Sequence, residues 1–474
     1  MPRDSNLLRP LRAGPTSTTA LLKTLQLPRP TVARALQNLQ REGEVLKLGA
    51  TRGTRYAVPR MLRDAGSSWP VYRIDAAGRV HELGHLKALM PRHFHFESAS
   101  AALRGLTEGM PWFIHMLCPA GFLAGGPAAH SGAAPAGPDD EHHIAWLSRH
   151  GWDCPGDLVV GAESLDAWRR SASRQKAIRT SERAVQYPQL ADAALAHARA
   201  HTALADAAMP GAPRADAASD DPTLAGGRPH SQLPGAQPKF TVLADHGGHL
   251  VHALVKFSPP MDTPAGQRWA DLLMAEHLAH GYLNARGVGA VHSRLFRFEG
   301  RMFLEVDRFD RAGVPGRRGV VSMQALAMHD ADAPHAWSQA AGRLAAAGML
   351  PRNDARQVRL IEAFAGLIAN TDRGADNLSL FDHHDGSFAL APVYDMLPMQ
   401  FAPCGDQLPT DDFKPPRPDG ALTDIWPHAR RLAEGYWERL AGEPQLSAGF
   451  RALSATALAA VRALPSVPAD PASS

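Results

Sequence analysis

Residues 209–230, MPGAPRADAASDDPTLAGGRPH, constrain this chain more than any other segment because they cannot contribute to a core. A stretch of Ala, Gly, Pro and polar residues buries too little apolar surface to offset the entropy of ordering it. A linker over 208–230 is therefore expected, with a new domain starting at 231. Residues 124–143, AGGPAAHSGAAPAGPDDEHH, have the same composition and are expected to form a mobile loop inside a region spanning 65–207. At 474 residues the chain exceeds one ordinary domain, and two to four units are expected.

Residues 1–64 carry twelve Lys or Arg against four Asp or Glu, an excess of eight positive charges in a chain whose total is +3. A basic head on a mildly acidic remainder suggests that only the head meets a polyanion. Residues 16–58 read as helix, turn, helix and two-stranded hairpin. Thr18 or Thr19 can cap the first helix, the LPRP turn breaks it, and Pro30 suits the start of the next. In that second helix Val32, Leu36 and Leu39 share one face, leaving Arg29, Thr31, Arg34, Asn38 and Arg41 elsewhere, and Gly43 ends it. The hairpin carries Lys47, Arg52 and Arg55. This is the layout of a winged helix-turn-helix, with a helix for the major groove and a wing for phosphates. Solvated arginines on a small helical domain are the plainer alternative.

Cys118, Cys154 and Cys404 are odd in number and far apart, so neither a disulfide framework nor a zinc site is expected. The N-terminus lacks the apolar stretch of a signal peptide, and no apolar run reaches the roughly 18 residues of a membrane span. A soluble protein of the reducing cytoplasm is expected, with no membrane partner. Within 65–207, residues 71–83 read as a hairpin turning near Gly78, 111–125 as a partly buried apolar segment, and 164–201 as an Ala-rich helix interrupted at Pro188.

The chemistry concentrates in residues 231–395. A Gly-containing loop, PGAQPK at 234–239, leads into a strand from Lys239, and a second strand runs from His249 to Phe257. Alternation places His252, Leu254 and Lys256 on one face and Val251, Ala253, Val255 and Phe257 on the other. A helix at 269–287 carries Glu276, two strands follow, and helices dominate after Ser322. Strand Lys, helix Glu, connector, D-x-x-x-x-N and a later Asp is the order of parts in a protein-kinase-like phosphotransferase. Lys256 can neutralise ATP phosphates with Glu276 fixing its position. Gly235 lets the loop backbone, Gln237 and Lys239 approach the phosphates. Asp372 can accept the proton of an attacking hydroxyl, while Asn377 and Asp395 offer the hard oxygen ligands that Mg²⁺ prefers.

Asp385-Gly386 is a hairpin signal between LSLF and SFALAPVYD. That hairpin brings Asn377 and Asp395 to its common open end. A metal site at His383 and His384 is the sharper alternative for its tip.

PGAQPK, the Lys of LVKF, EVDRFDR at 305–311, NTDRGADN at 370–377 and PVYD at 392–395 together resemble the HipA family of serine/threonine kinases, the toxin components of bacterial toxin–antitoxin systems. More narrowly, the chain resembles the YjjJ-type branch, in which a DNA-binding domain precedes the kinase. The resemblance implies an α+β multidomain chain. A winged helix-turn-helix at 1–64 precedes a HipA-like N-terminal region at 65–207. After the linker come a kinase N-lobe core with the phosphate loop at 231–320 and a mainly helical C-lobe at 321–474. It also implies Asp372 as catalytic base, Asn377 and Asp395 as Mg²⁺ ligands, Lys239 and Lys256 on ATP, and backbone groups around Glu305 to Asp307 at the adenine. Two positions depart from the family pattern. Gln232 stands where an autophosphorylated Ser is frequent, leaving Ser231 as the candidate, and Gly374 stands where His is common.

The expected function is therefore an ATP/Mg²⁺-dependent protein kinase of toxin type. Its expected partners are DNA, a cellular protein substrate such as an aminoacyl-tRNA synthetase, and an antitoxin, with a homodimer on two-fold DNA. A transcription regulator whose kinase-like fold only senses nucleotide is the alternative from another class, and a small-molecule kinase is a third.

Overall fold

A computed structural model describes residues 2–50, 53–62, 65–100, 103–117, 140–207, 227–228, 237–329, 336–418 and 420–465. The N-terminal unit opens with α1 (Pro2–Arg12), which sequence reading left unassigned. Leu7 and Leu11, one turn apart, enter the same small core as Leu21, Val32, Leu36, Leu39 and Val45. Then follow β1 (Thr16–Ser17), α2 (Thr18–Leu25), α3 (Arg29–Arg41), β2 (Leu46–Leu48) and β3 (Arg55–Ala57). Ser17, not Thr18 or Thr19, caps α2, its hydroxyl accepting the Ala20 amide at 3.2 Å. The expected hairpin gains β1 as a third strand, in the order β1-β3-β2.

The middle region contains β4 (Ser68–Ile74), β5 (Val80–Leu89), β6 (His93–Ser98), β7 (Gly105–Glu108), α4 (Trp112–His115), α5 (Asp140–His150), β8 (Leu158–Val160) and α6 (Ala162–Arg174). Its sheet runs β7-β6-β5-β4-β8. The turn near Gly78 is present, with φ +78 at the glycine. Of the expected loop 124–143, residues 124–139 lie outside the described residues and 140–143 open α5.

The predicted break at Pro188 is corrected. The interruption falls at 175–182, where β9 (Ile178–Arg179) forms, and α7 (Arg183–Ala207) runs through Pro188. Tyr187, Leu190, Ala191 and Ala194 of α7 pack on Phe240, Val242, Val255 and Phe303, and this burial outweighs the local propensity cost. α7 thus covers the outer face of the next sheet. That sheet contains β10 (Gly227–Arg228), β11 (Lys239–His246), β12 (His249–Phe257), and, after α8 (Pro264–Asn284), β13 (Ser293–Phe298) and β14 (Arg301–Asp307). Its order is β10-β11-β12-β14-β13, with β9 pairing parallel to β11. Gly227 and Arg228, inside the expected linker, pair with Val242 and Thr241; the linker's other residues lie outside the described ones.

A small hairpin, β15 (Arg311–Ala312) and β16 (Gly316–Arg317), leads to the helical half. There β17 (Val320–Ser322), α9 (Met323–His329), α10 (Trp337–Ala346), α11 (Arg352–Leu367), β18 (Ser379–Asp382), β19 (Phe388–Leu390), α12 (Trp426–Gly442) and α13 (Ala448–Arg462) follow. α8, α11, α12 and α13 share one large core with residues of β14. Among the described residues, no helix is long and apolar enough to cross a membrane.

Candidate active site

Lys239 and Lys256 are register partners on β11 and β12, so both side chains leave the same face of the sheet. Both are buried. Lys256 Nζ donates to Glu276 Oε1 and Oε2 at 2.7 and 2.9 Å and also bonds Asp395. α8 supplies Glu276 because its N-terminus is fixed by Thr263, whose hydroxyl accepts the Gly266 amide at 3.0 Å, with Pro264 in the first turn. Burial works against the charge of Lys256, but Asp395 and Glu276 outweigh it and hold the ammonium on. For Lys239 burial wins and brings it down to about 8.

Asp395 has φ +51, a left-handed conformation that L residues adopt at a cost. Burial opposes its charge, and Lys256 and Lys239 prevail, keeping its carboxyl below the ordinary range. The position is fixed from behind by Asn370, which is 2% exposed. The Asn370 side chain donates to the Asp395 carbonyl at 3.2 Å and accepts the Asp372 amide at 3.0 Å. One buried amide thereby sets the spacing between the two aspartates. Sequence reasoning missed Asn370, although it stands only two residues before Asp372.

Asn377 donates from its side chain to the Asp372 carbonyl at 2.9 Å, closing the D-x-x-x-x-N loop on itself. The hairpin of β18 and β19 then returns the chain. Tyr394 clamps its open end, its hydroxyl 2.7 Å from Ser379 Oγ and 2.9 Å from the Asp376 carbonyl. Asp372 itself is exposed at the mouth of this loop. Partial desolvation raises its carboxyl, the charges of Asp376 and Asp395 add to this, and Asn377 opposes it. Gly374 has a local reason: a Cβ there would stand 2.3 Å from Asp376 Oδ1. A larger residue requires the Asp376 side chain to turn away.

The remaining expected residues divide. Ser231 and Gly235 lie outside the described residues. Gln237 is half-buried, and its amide nitrogen has no hydrogen-bond partner among the described residues. Glu305 pairs with Val255 across the strands, which points its side chain to the α7 face, away from Lys256. There it meets Arg183 at 2.9 Å, His246 at 2.8 Å and the Tyr187 hydroxyl. Asp307 takes Arg294 at 2.6 Å, and its amide is used by the His292 carbonyl at 2.9 Å. Glu305 and Asp307 are thus not brought to the lysine cluster. His246, Glu305 and Asp307 have metal-like spacing, but Arg183 and Arg294 already balance the two carboxylates. The His383/His384 metal alternative finds His384 bonded instead to Asp157 of the middle region at 2.7 Å.

A family model for the YjjJ-like toxin middle domain matches residues 65–169, and one for the HipA-like C-terminal domain matches residues 231–441. Toxin YjjJ of Escherichia coli strain K12 is 31% identical over 455 residues, 94% of this chain and 95% of that protein. The chain belongs to the YjjJ family of HipA-like toxins. Solved structures similar to it include Shewanella oneidensis MR-1 HipA in complex with HipB and operator DNA. That similarity is 13% identity at a TM-score of 0.43, covering 83% of this chain and 95% of that one. The Helicobacter pylori proinflammatory kinase CtkA is also 13% identical, with a TM-score of 0.32, covering 48% and 87%. The lysine–carboxylate cluster and the Asp372 loop both fall inside the segment matched by the HipA-like model. The basic N-terminal unit precedes both matched segments. In it Arg29, Arg34, Lys47 and Arg55 are exposed, Thr31 and Asn38 are half-buried, and Arg52 lies outside the described residues.

Proposed function

We propose that this YjjJ-family toxin is an ATP/Mg²⁺-dependent protein serine/threonine kinase of the cytoplasm that binds DNA through its own N-terminal domain. The observation that carries the reading is Lys256 held between Glu276 and Asp395, with Lys239 beside it and Asp372 tied to Asp395 through Asn370. Two buried ammonium groups on one face fit a polyphosphate, which would restore the solvation that burial removes. Asn377 and Asp395 would hold Mg²⁺, whose chemistry is to neutralise charge developing on the transferred phosphoryl group. Asp372 would take the proton of a substrate hydroxyl as it attacks. Transfer of labelled γ-phosphate from ATP by the purified chain, into itself and into a lysate, tests the reading. Label must require Mg²⁺, and the labelled band names the protein substrate, for which a translation-related protein such as an aminoacyl-tRNA synthetase is the candidate. Saturable ATP binding without transfer would instead favour the nucleotide-sensing regulator.

The lowered Lys239 gives a pH signature. Below about pH 8 the ammonium is present, and bound phosphates should raise its proton affinity further. ATP affinity is then expected to be greatest near neutrality. It should weaken by up to about tenfold per pH unit above 8, until the ATP-bound value is reached. Calorimetric Kd values from pH 7 to 9.5 check this, and a flat profile in Lys239→Met alone attributes it.

For the N-terminal domain, α3 and the β2–β3 hairpin form the winged helix-turn-helix reading, with exposed Arg34 and Lys47 as phosphate contacts. Arg34→Ala with Lys47→Ala is expected to weaken DNA binding about tenfold or more. It should also lower the slope of log K against log salt by about 2. Titration of labelled genomic fragments at several salt concentrations measures both, and an unchanged slope would defeat the DNA claim.

A further inference from the structure

Behind the Lys256–Glu276 pair runs a line of polar side chains that the ATP site described above does not use. His280 stands one turn after Glu276 on α8, and its Nε2 lies 3.7 Å from Glu276 Oε1. Its other ring nitrogen, Nδ1, is 3.0 Å from the hydroxyl of Ser293 at the start of β13. The same hydroxyl is 3.0 Å from Nδ1 of His277. Glu276 and His280 are buried, and the line ends at His277, which is half-buried.

The protons of this line can be placed. A serine hydroxyl has one proton, so Ser293 donates to one imidazole and accepts from the other. Lys256 has three N–H donors, and Glu276 Oε1, Glu276 Oε2 and Asp395 take all of them. None remains for a lone pair on His280 Nε2, which has no hydrogen-bond partner among the described residues. A bare lone pair there would also face the Glu276 carboxylate, a repulsion that burial strengthens. A proton on Nε2 instead points an N–H at that carboxylate. Burial and the Lys256 ammonium keep His280 from taking a second proton. Its Nδ1 is therefore bare and accepts from Ser293, which in turn accepts from Nδ1–H of His277. Every hydrogen in the line then points toward Glu276.

We propose that His280 and Ser293 are positioning residues for the ATP site. Ser293 fixes His280 as the Nε2–H tautomer, since the bond made by one ring nitrogen decides which nitrogen carries the proton. That N–H holds the Glu276 carboxylate ionised and turned to Lys256. The role rests on the kinase reading and deepens it. Lys256 can reach a phosphate only by giving up its bond to Asp395, and Glu276 is then the carboxylate left to hold it.

Imidazole ¹⁵N chemical shifts of the full chain read the tautomer, because protonated and bare ring nitrogens resonate far apart. His280 is identified by the signals lost in His280→Gln or His280→Asn, whichever folds. At pH 7.5 it is expected as the Nε2–H tautomer alone. Ser293→Ala should give a mixture of tautomers and weaken calorimetric ATP affinity by about two- to tenfold, the effect of one hydrogen bond. Ser293→Thr keeps the hydroxyl and should restore both. A His280 proton on Nδ1 in the intact protein overturns the proposal. So does an ATP affinity unchanged in Ser293→Ala, or one lowered equally in Ser293→Thr. If the intact chain binds no ATP, the kinase reading itself fails, a result distinct from a wrong tautomer with ATP binding intact.

Discussion

Asp372→Ala is expected to lower phosphoryl transfer from ATP by about 10²–10⁴-fold, the usual contribution of a positioned general base, while ATP affinity changes by no more than about twofold. The separation follows from position. Lys239, Lys256 and Glu276, the groups assigned to ATP, come from the sheet and α8, whereas Asp372 sits on the loop after α11. Asn370 and Asn377 both hold its backbone, so truncation of the side chain leaves the loop tied in place. The raised carboxyl of Asp372 adds a second signature. A base must be unprotonated to act, so activity should fall as pH drops through a value above that of an ordinary Asp, and the acid limb of kcat/KM should report it. Rates from single-turnover transfer, with nucleotide affinity measured separately, check both. Transfer at the intact rate in Asp372→Ala would remove this residue from the mechanism.

The parts of the site that were legible in the sequence are those fixed by short-range periodicity. Alternation along β12 places Lys256 opposite the face of Val255 and Phe257, and in the structure those two join the α7 core while Lys256 meets Glu276. The hairpin signal at Asp385-Gly386 likewise predicts the return of Asp395 toward Asn377. What was not legible depends on contacts between distant residues. Asn370 reads as one more polar residue before a turn until Asp395, 25 positions later, is seen to accept from it. Glu305 alternates correctly within β14, but its face is decided by α7, more than a hundred residues earlier. The joint of Asp153 with Arg308 and Arg311 spans a similar gap, so the structural use of these two arginines could not be read from EVDRFDR itself. α1 was missed because Pro10 weakens its local signal, and only packing of Leu7 and Leu11 stabilises it.

The second large effect concerns stability as well as activity. Lys256→Met removes the partner of a carboxylate that is fully buried. In the intact protein, burial already raises the carboxyl of Glu276 against the pull of Lys256. Asp395 keeps partial exposure, 30% for its side chain, so solvent can accept its charge, but Glu276 has no such outlet. The groups that still act on it are Lys239, which is already drawn to Asp395, and His280, 3.7 Å away and itself held neutral by burial, at about 3. Breaking a buried pair in this way typically costs about 3–5 kcal/mol, and phosphoryl transfer should be lost with it. The pH sign is defined. Without Lys256 the folded-state value of Glu276 rises further above its unfolded value, so the folded form binds the extra proton. Lys256→Met should therefore be least destabilised at acid pH and lose stability progressively as pH rises through that raised value. Adding Glu276→Gln removes the buried charge and should recover most of the stability at pH 8 without recovering transfer. Denaturant unfolding of the two variants at pH 5.5 and 8 measures this, and a penalty independent of pH would mean that packing of the lysine stem, rather than the charge of Glu276, is what Lys256 contributes.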